Sequence, residues 1–240
     1  MKTRRVFRLG LVGSAALLAL LAGWIGVTVI TLPTIAELAT TQPSSTAFMD
    51  RYLEEQQRRG RRAELSWSWV PYDSISPHLK RAILVSEDIN FFSHDGFDDH
   101  EIGTALREAW EGKEFPRGAS TLTQQLARNL YLSPERTPWR KLEEALLTRR
   151  LEQRLTKRRI LEIYLNVVEF GPGLYGAEAA SRHYFGVRAM NLDERQSAEL
   201  AVVLPRPSVW HPGRATQGYR EAVERVLRRM EKAEFLWRRI

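Results

Sequence analysis

Apolar residues recur at helical spacing along most of the chain that follows Pro77. The clearest sets are Ile102, Leu106 and Trp110; Leu142, Ala145 and Leu146; and Ile160, Ile163, Tyr164 and Val167. Spacings of three and four residues place each set on one face of an α-helix. Strand-like alternation is scarce in the sequence, so the pattern predicts a mainly α domain. It also indicates that Tyr164 and Leu165 are packing residues.

Capping signals predict where some helices begin and end. Residues 49–62 form a very polar stretch that we expect to be helical. Ser120 is a candidate N-cap for a helix that follows it. Asp193 and Gln196 have the spacing of an N-cap and its partner, and they predict a helix that stops at Pro205.

The N-terminus carries a long apolar run. No charged residue occurs from residue 9 to residue 32, and ~20 apolar residues suffice for a helix that crosses a bilayer. The basic residues before the run place the N-terminus in the cytoplasm; they are Lys2, Arg4, Arg5 and Arg8. A cleaved signal peptide is the alternative, but its apolar core is usually only ~7 to 15 residues long. The sequence therefore predicts an uncleaved, single-pass anchor.

The apolar run and the patterns that follow it divide the chain into four predicted parts. They are a cytoplasmic basic tail over residues 1–8, a transmembrane anchor over residues 9–32, a tether and polar helix over residues 33–66, and a catalytic-size domain over residues 67–240. The tether begins with a stretch rich in Thr, Pro and Ser. With the N-terminus inside, we expect the domain in the periplasm, at the outer face of the cytoplasmic (inner) membrane.

The composition narrows the choice of partners. The formal net charge is +7, and the 240 residues include no cysteine. The charge favours nucleic acid, acidic lipid headgroups or a phosphate-bearing substrate. The lack of cysteine excludes disulfides and thiolate zinc sites, which fits an envelope protein that relies on its core.

The stretch SEDINFFSHDG, residues 86–96, crowds two carboxylates, an aromatic pair, a histidine and a glycine together. A helix over residues 80–88 would place Glu87 at its C-terminus, beside Asp88 and two phenylalanines. The helix dipole, a like charge and apolar surroundings all raise a carboxyl pKa, so Glu87 is a candidate general base. Two solvated carboxylates are the simpler interpretation. A metal site is less well supported, because no spacing here matches a known ligand frame.

Two further stretches are suited to an anion. Ser120 would open a glycine-preceded helix that carries two glutamines and an arginine, and free amides at a helix start bind anions. Capping alone would also explain Ser120. Residues 135–159 contain nine Arg and Lys against four Glu, which is typical of a solvated face and equally suited to a diphosphate.

Four motifs follow one another along the chain. They are E-D-x-x-F-x-x-H-x-G at residues 87–96, G-A-S-T-L-T-Q-Q at residues 118–125, R-K-x-x-E at residues 140–144, and I-L-E-x-Y-L-N with a following glycine at residues 160–171. Their order and spacing resemble the peptidoglycan glycosyltransferases, glycosyltransferase family 51, and most of all its monofunctional biosynthetic peptidoglycan transglycosylases. The resemblance covers about residues 69–212. There is no Ser-x-x-Lys or Lys-Thr-Gly motif, so no transpeptidase activity is expected.

The resemblance implies a lysozyme-like helical fold and a processive reaction on lipid II. The 4-hydroxyl of an acceptor GlcNAc attacks C1 of a donor MurNAc, with inversion at C1 and release of undecaprenyl diphosphate. The matched motifs imply that Glu87 is the base, supported by Asp88 and His94. They also imply that Glu144 is a second essential carboxylate on the donor side.

The same resemblance implies a set of residues that line the donor and diphosphate sites. They are Ser120, Thr121, Gln124, Gln125, Arg128, Arg136, Arg140 and Lys141. Position 128 is commonly Lys in the family and is Arg here, which replaces a point donor with a planar fork. Asn166 and Gly171 are expected to shape the turn behind the site. Family members often need a divalent cation, Mg²⁺ or Mn²⁺, to screen the diphosphate, and no organic cofactor is expected.

Several alternatives stay open at this point. Ile102, Leu106, Trp110 and Phe115 belong either to the core or to a surface that dips into the bilayer. A lysozyme-like, glycan-cleaving enzyme would need one desolvated Glu but no diphosphate-binding cluster, and a non-catalytic cell-wall scaffold would need neither. The expected partners are lipid II, the growing glycan strand, the membrane and other cell-wall synthesis proteins. Nucleic acid is not expected, because the domain lies outside the cytoplasm.

Overall fold

The computed structural model describes residues 33–98, 120–135, 137–214 and 216–240, together with Gly23, Gly26 and Gly103. The chain divides into two compact units, Met1–Thr34 and Ile35–Ile240. The second unit contains the helices and strands named in this section. Among the described residues, no helix is long and apolar enough to cross a membrane. The predicted anchor, residues 9–32, lies outside the described part except for two glycines, so it stays a prediction.

The second unit is mainly helical, which confirms the fold class that the periodicity predicted. Its α-helices within the described residues are α1 (Ala47–Arg58), α2 (Pro77–Glu87), α3 (Leu122–Tyr131), α4 (Pro138–Arg154), α5 (Lys157–Val167), α6 (Ala177–Phe185), α7 (Glu194–Val203) and α8 (Gln217–Lys232). Short 3₁₀ turns lie at Ala36–Ala39, Tyr72–Ser74, Phe91–Ser93, Ala189–Asn191 and Glu234–Arg238.

Side-chain caps fix the start of most of these helices. Before α2, Ser76 accepts a hydrogen bond from the backbone N–H of His78, and Pro77 is pre-shaped for the first helical turn. At α7 the predicted capping box of Asp193 and Gln196 is confirmed, and the helix ends before proline 205 as expected. Residues adjacent in sequence therefore supply the caps that define these boundaries.

A small sheet lies beside the helices, in the strand order β1–β3–β2. Its strands are β1 (Ser66–Trp67), β2 (Glu169–Gly171) and β3 (Leu174–Tyr175). β1 runs parallel to β3, with Trp67 opposite Tyr175, and β2 runs antiparallel to β3. The strands are two or three residues long, which explains why no alternating pattern was visible in the sequence.

Asn166 fastens the aromatic segment around β1 to the end of α5. Its side-chain amide donates to the carbonyl of Val70 over 2.9 Å and accepts from the backbone N–H of the same residue over 2.9 Å. The indole N–H of Trp67 donates to the Asn166 carbonyl over 2.7 Å. The side-chain amide also donates to the Glu162 carbonyl over 2.9 Å, so its donors and its acceptor are all used within the protein, and this asparagine positions backbone rather than substrate.

The segment before α2 also packs with the rest of the unit. Met49 on α1 is fully buried. Arg159 donates from Nε to the carbonyl of Leu38 over 2.7 Å and from Nη2 to that of Thr41 over 2.6 Å. Residues 35–66 are thus held by burial and by charge-assisted hydrogen bonds.

Two groups of helices meet near the end of α2. Helices α2, α7 and α8 pack on one another, while α3 packs on α4, α5 and α1. Leu79 and Ile83 on α2 and Leu122 and Leu126 on α3 are fully buried, each stabilising the fold by about 1.5–3 kcal/mol. The candidate site lies where α2 of the first group reaches α3 and α5 of the second.

Candidate active site

Glu87 is the last residue of α2 and is partly exposed. Its Oε2 accepts a hydrogen bond of 2.9 Å from the side-chain N–H of Gln125, and its Oε1 accepts one of 3.4 Å from the Ser86 hydroxyl. Burial of the carboxyl group raises the pKa of Glu87 above its ordinary value of 4.5, against these two hydrogen bonds and the cations Arg128 and Arg229. The predicted direction of the pKa shift is confirmed.

Asp88 and His94 form a buried pair next to this glutamate. Nε2 of His94 lies 3.0 Å from Oδ1 and 3.2 Å from Oδ2 of Asp88. The backbone N–H of Gly96 donates to Nδ1 of His94 over 3.1 Å. Because Nδ1 accepts, the ring proton is on Nε2, and a neutral imidazole donates to the carboxylate. The pair connects the end of α2 to the loop that follows it.

The N-terminus of α3 is closed by the protein's own groups. Thr121 is the N-cap: its hydroxyl accepts from the N–H of Gln124, whose side chain accepts in turn from the N–H of Thr121. The expectation that Ser120 caps this helix was wrong, because only a cap at Thr121 places a glutamine at the third helical position. The N–H of Leu122 donates to Oδ2 of Asp88 over 2.9 Å, so a carboxylate of the chain already lies at this helix start.

The loop that ends at Gly96 rests on α4. Gly96 has φ +92°, and a Cβ there would lie 2.7 Å from Cγ2 of Thr148 and 3.0 Å from Cγ of Glu152. The Gly96 carbonyl accepts from the Thr121 hydroxyl over 2.7 Å. Thr148 is one helical turn beyond Glu144, so the first motif packs directly against the helix that carries the third.

Substitution of Gly96 by alanine is expected to destabilise the fold by about 2–4 kcal/mol, since strain at positive φ and a clash with α4 add together. Urea unfolding of the detergent-solubilised full chain measures the loss. Gly60→Ala is the matched control: Gly60 has φ +66°, but nothing lies within 4 Å of its would-be Cβ. Equal losses in the two variants would contradict close packing of the Gly96 loop on α4.

Gln125 joins the base to a buried tyrosine. The hydroxyl of Tyr164 donates to Oε1 of Gln125 over 2.9 Å, while Nε2 of the same amide donates to Glu87. Tyr164 is fully buried, as its place in the apolar pattern predicted. Sequence analysis nevertheless missed its polar contact; the available signal was that a buried tyrosine hydroxyl normally finds a hydrogen-bond partner.

Glu144 is fully buried on α4 and is held by two cations. Its Oε2 accepts a hydrogen bond of 2.8 Å from Nη1 of Arg140, and its Oε1 contacts the ammonium of Lys141. Arg140 and Glu144 thus pair across one helical turn of α4. The Arg140 side chain is largely buried, whereas half of the Lys141 side chain is exposed. The cluster carries one net positive charge and opens to solvent through the lysine.

The other residues that were expected to bind substrate differ in their surroundings. Arg128 lies close enough to Glu87 to stabilise its negative charge. Thr121 and Gln124 are buried and engaged in the helix cap. The Ser120 carbonyl accepts a 3.4 Å hydrogen bond from the amide of Gln125. Position 136 lies outside the described residues, as do the apolar residues at 102, 106, 110 and 115. The assignment of these residues to substrate stays a prediction.

The donor groups described at the site do not match a divalent cation. Among the described residues, no three His, Asp or Glu side chains form a group that could hold a metal ion. The carboxylate of Asp88 is engaged with His94 and with the start of α3, and that of Glu144 with two cations. The described side chains therefore do not form a metal cage.

A helical domain that presents a desolvated glutamate at its surface, with a second carboxylate held among cations, is suited to transfer between sugars. The sequence profile of the transglycosylase family matches residues 51–231. The chain therefore belongs to the transglycosylase family.

Individual relatives agree with this assignment. The chain is 46% identical over 191 residues to a biosynthetic peptidoglycan transglycosylase of Nitrosospira multiformis, covering 80% of this chain and 83% of the relative. It is 47% identical over 192 residues to the protein of that name in Chromobacterium violaceum, covering 80% and 84%. A third such protein, from Aromatoleum aromaticum, is 50% identical over 165 residues, covering 69% and 72%.

Proposed function

We propose that the chain is a peptidoglycan glycosyltransferase that polymerises lipid II into linear glycan strands. The family, and the names of relatives at 43% to 50% identity, support the peptidoglycan glycosyltransferase activity. The observation that carries the catalytic part is the environment of Glu87: a partly exposed residue whose buried carboxyl group has a raised pKa and accepts from a fixed hydrogen-bond donor. Such a group binds a proton more readily than an ordinary glutamate does.

The proposed reaction is one displacement at the sugar carbon. The carboxylate of Glu87 takes the proton of the acceptor 4-hydroxyl while that oxygen forms a bond to C1 of the donor MurNAc. The bond from C1 to the diphosphate oxygen breaks, and its electron pair leaves with undecaprenyl diphosphate. Attack opposite the leaving group inverts C1. Glu87 then returns its proton to solvent before the next addition.

Glu144 is proposed to act on the leaving group through its cations. A fully buried carboxylate between Arg140 and Lys141 fixes both side chains. Nε of Arg140 is buried and finds no acceptor among the described residues. Preorganised cations stabilise charge that develops on a diphosphate as the bond to C1 breaks. The proposed set is completed by Arg128 and, from the family resemblance, by position 136.

The reaction is proposed to take place at the outer face of the cytoplasmic membrane. Biosynthetic peptidoglycan transglycosylases act at the cell envelope, and the chain is proposed to sit in the cytoplasmic membrane by residues 9–32 with its lysozyme-like domain in the periplasm. The lipid tail of the substrate would keep donor and acceptor at the same surface. A divalent cation carried by the diphosphate, and contacts with other cell-wall synthesis proteins, complete the proposal.

A glycan-cleaving enzyme is the competing function, because it too would use a glutamate of raised pKa. The test is to incubate the full chain in detergent with purified lipid II, and separately with preformed glycan strands. Polymer formed from lipid II, with preformed strands left intact, is the expected result. Cleavage of preformed strands without polymer formation would overturn the proposal.

A further inference from the structure

The hydrogen bonds around Glu87 continue beyond its direct neighbour. Three helices contribute one group each: Glu87 ends α2, Gln125 lies on α3, and Tyr164 lies on α5. The two hydrogen bonds of the chain are both 2.9 Å long, and Tyr164 is fully buried. The primary amide of Gln125 in the middle has one donating end and one accepting end. Its orientation therefore decides whether a donor or an acceptor faces the carboxylate of Glu87.

The tyrosine hydroxyl helps to set that orientation, together with the Ser120 carbonyl, which accepts a 3.4 Å hydrogen bond from Nε2 of Gln125. Burial raises the pKa of the Tyr164 hydroxyl well above 10, so the group keeps its proton and remains a donor across the working pH range. A donated hydrogen bond requires the carbonyl end of the Gln125 amide to face Tyr164. The N–H end then faces Glu87. In a flipped amide the carbonyl oxygen would face the carboxylate instead, and two acceptors would repel each other.

We propose that Tyr164 is a positioning residue for the base: by donating to Gln125 it locks the amide with its N–H on Oε2 of Glu87. One oxygen of the carboxylate is thereby occupied. Within the described part of the chain, the other oxygen receives a 3.4 Å contact from Ser86 alone, and it is left for the acceptor hydroxyl. Successive hydrogen bonds polarise one another, so the lock also strengthens the donor that favours the ionised base.

Other charged groups face the same carboxylate and are unchanged by a substitution at Tyr164. They are Arg128 on α3 and Arg229 on α8, which both favour the ionised form, and Asp88, which follows Glu87 in the chain. A change in the titration of Glu87 on removal of the tyrosine hydroxyl therefore reports the amide lock.

The inference rests on the proposed function for its kinetic test, which uses the full chain in detergent with lipid II. Tyr164→Phe is expected to lower kcat about three- to tenfold, the effect of one lost hydrogen bond, with KM nearly unchanged. The acid limb of the rate profile moves to higher pH. Tyr219→Phe is the matched control: that hydroxyl is also buried and donates to the Glu199 carbonyl over 3.0 Å, and its loss is expected to leave kcat and the pH profile unchanged.

A cycle with Gln125→Leu tests whether the tyrosine acts through the amide. In the Gln125→Leu background, Tyr164→Phe is expected to lower kcat no further. Additive losses, or a Tyr164→Phe variant that behaves like Tyr219→Phe, would overturn the inference.

A spectroscopic titration separates this inference from the proposed function. The infrared difference between wild type and Glu87→Gln isolates the carboxylate band of Glu87, with no substrate present. The band is expected to titrate at a higher pH in the Tyr164→Phe background than in the Tyr219→Phe background. Equal midpoints would overturn the amide lock even in an active polymerase. If the midpoint differs between the two backgrounds but the wild-type chain forms no polymer, the amide lock stands and the proposed function is removed.

Discussion

Glu87→Gln is expected to lower the rate of glycan polymerisation by about 10²–10⁴, the usual contribution of a positioned general base. The folded protein is expected to be more stable than wild type near pH 7. Burial favours the neutral form of this carboxyl group, so the folded protein loses stability as the pH rises above 4.5 and Glu87 ionises. A neutral glutamine avoids that loss. Melting temperatures at pH 7 and about pH 4 check the sign: the gain is present at pH 7 and absent at pH 4.

Glu169→Gln is the matched control for this variant. Burial raises the pKa of Glu169 on β2 to about 7, so the control removes another desolvated carboxyl group outside the proposed site. It is expected to raise the melting temperature at neutral pH in the same way and to retain polymerisation. If Glu87→Gln also retained polymerisation, Glu87 would not be the base.

Glu144→Gln is expected to lose both activity and stability. The substitution leaves Arg140, which is largely buried, without its anionic partner, and we expect a cost of about 3 kcal/mol in the free energy of unfolding. The rate is expected to fall by about a hundredfold or more, since the cations that stabilise the leaving diphosphate lose their fixed positions. Urea unfolding and initial rates with lipid II measure the two effects.

Glu143→Gln supplies the comparison for Glu144. It removes the same charge from the adjacent position, where the side chain is partly exposed rather than fully buried. Stability and rate close to those of wild type are expected. If the two variants weakened the rate equally, a general loss of negative charge from α4 would explain the effect better than the buried pair.

The helical part of the fold could be predicted because local chemistry determines it. The capping box of Asp193 and Gln196 and the buried face of α5 both follow from residues close in sequence. The sheet could not be predicted, since strands of two or three residues are too short to show alternation. Its pairing of Trp67 with Tyr175 joins residues more than a hundred positions apart.

The candidate site, like the fold, could be predicted only where residues close in sequence determine it. The type and position of Glu87 indicated a raised pKa, and burial supplies it. The N-cap of α3 was misassigned because serine is the better N-cap in isolation, whereas the capping box with Gln124 selects Thr121. The contact of Tyr164 with Gln125 escaped prediction for a different reason. Periodicity identifies a buried face, but it does not identify the partner of a hydroxyl on another helix.

The initial rate of lipid II polymerisation as a function of pH tests the central claim most directly. A general base must be ionised, so the rate of the full chain in detergent is expected to rise with pH through a midpoint above 4.5, the ordinary value for a glutamate. A general acid would show the opposite slope, as a glycan-cleaving enzyme requires. A rate that is flat, or that falls, between about pH 4 and pH 7 would contradict the role of Glu87 as the proton acceptor.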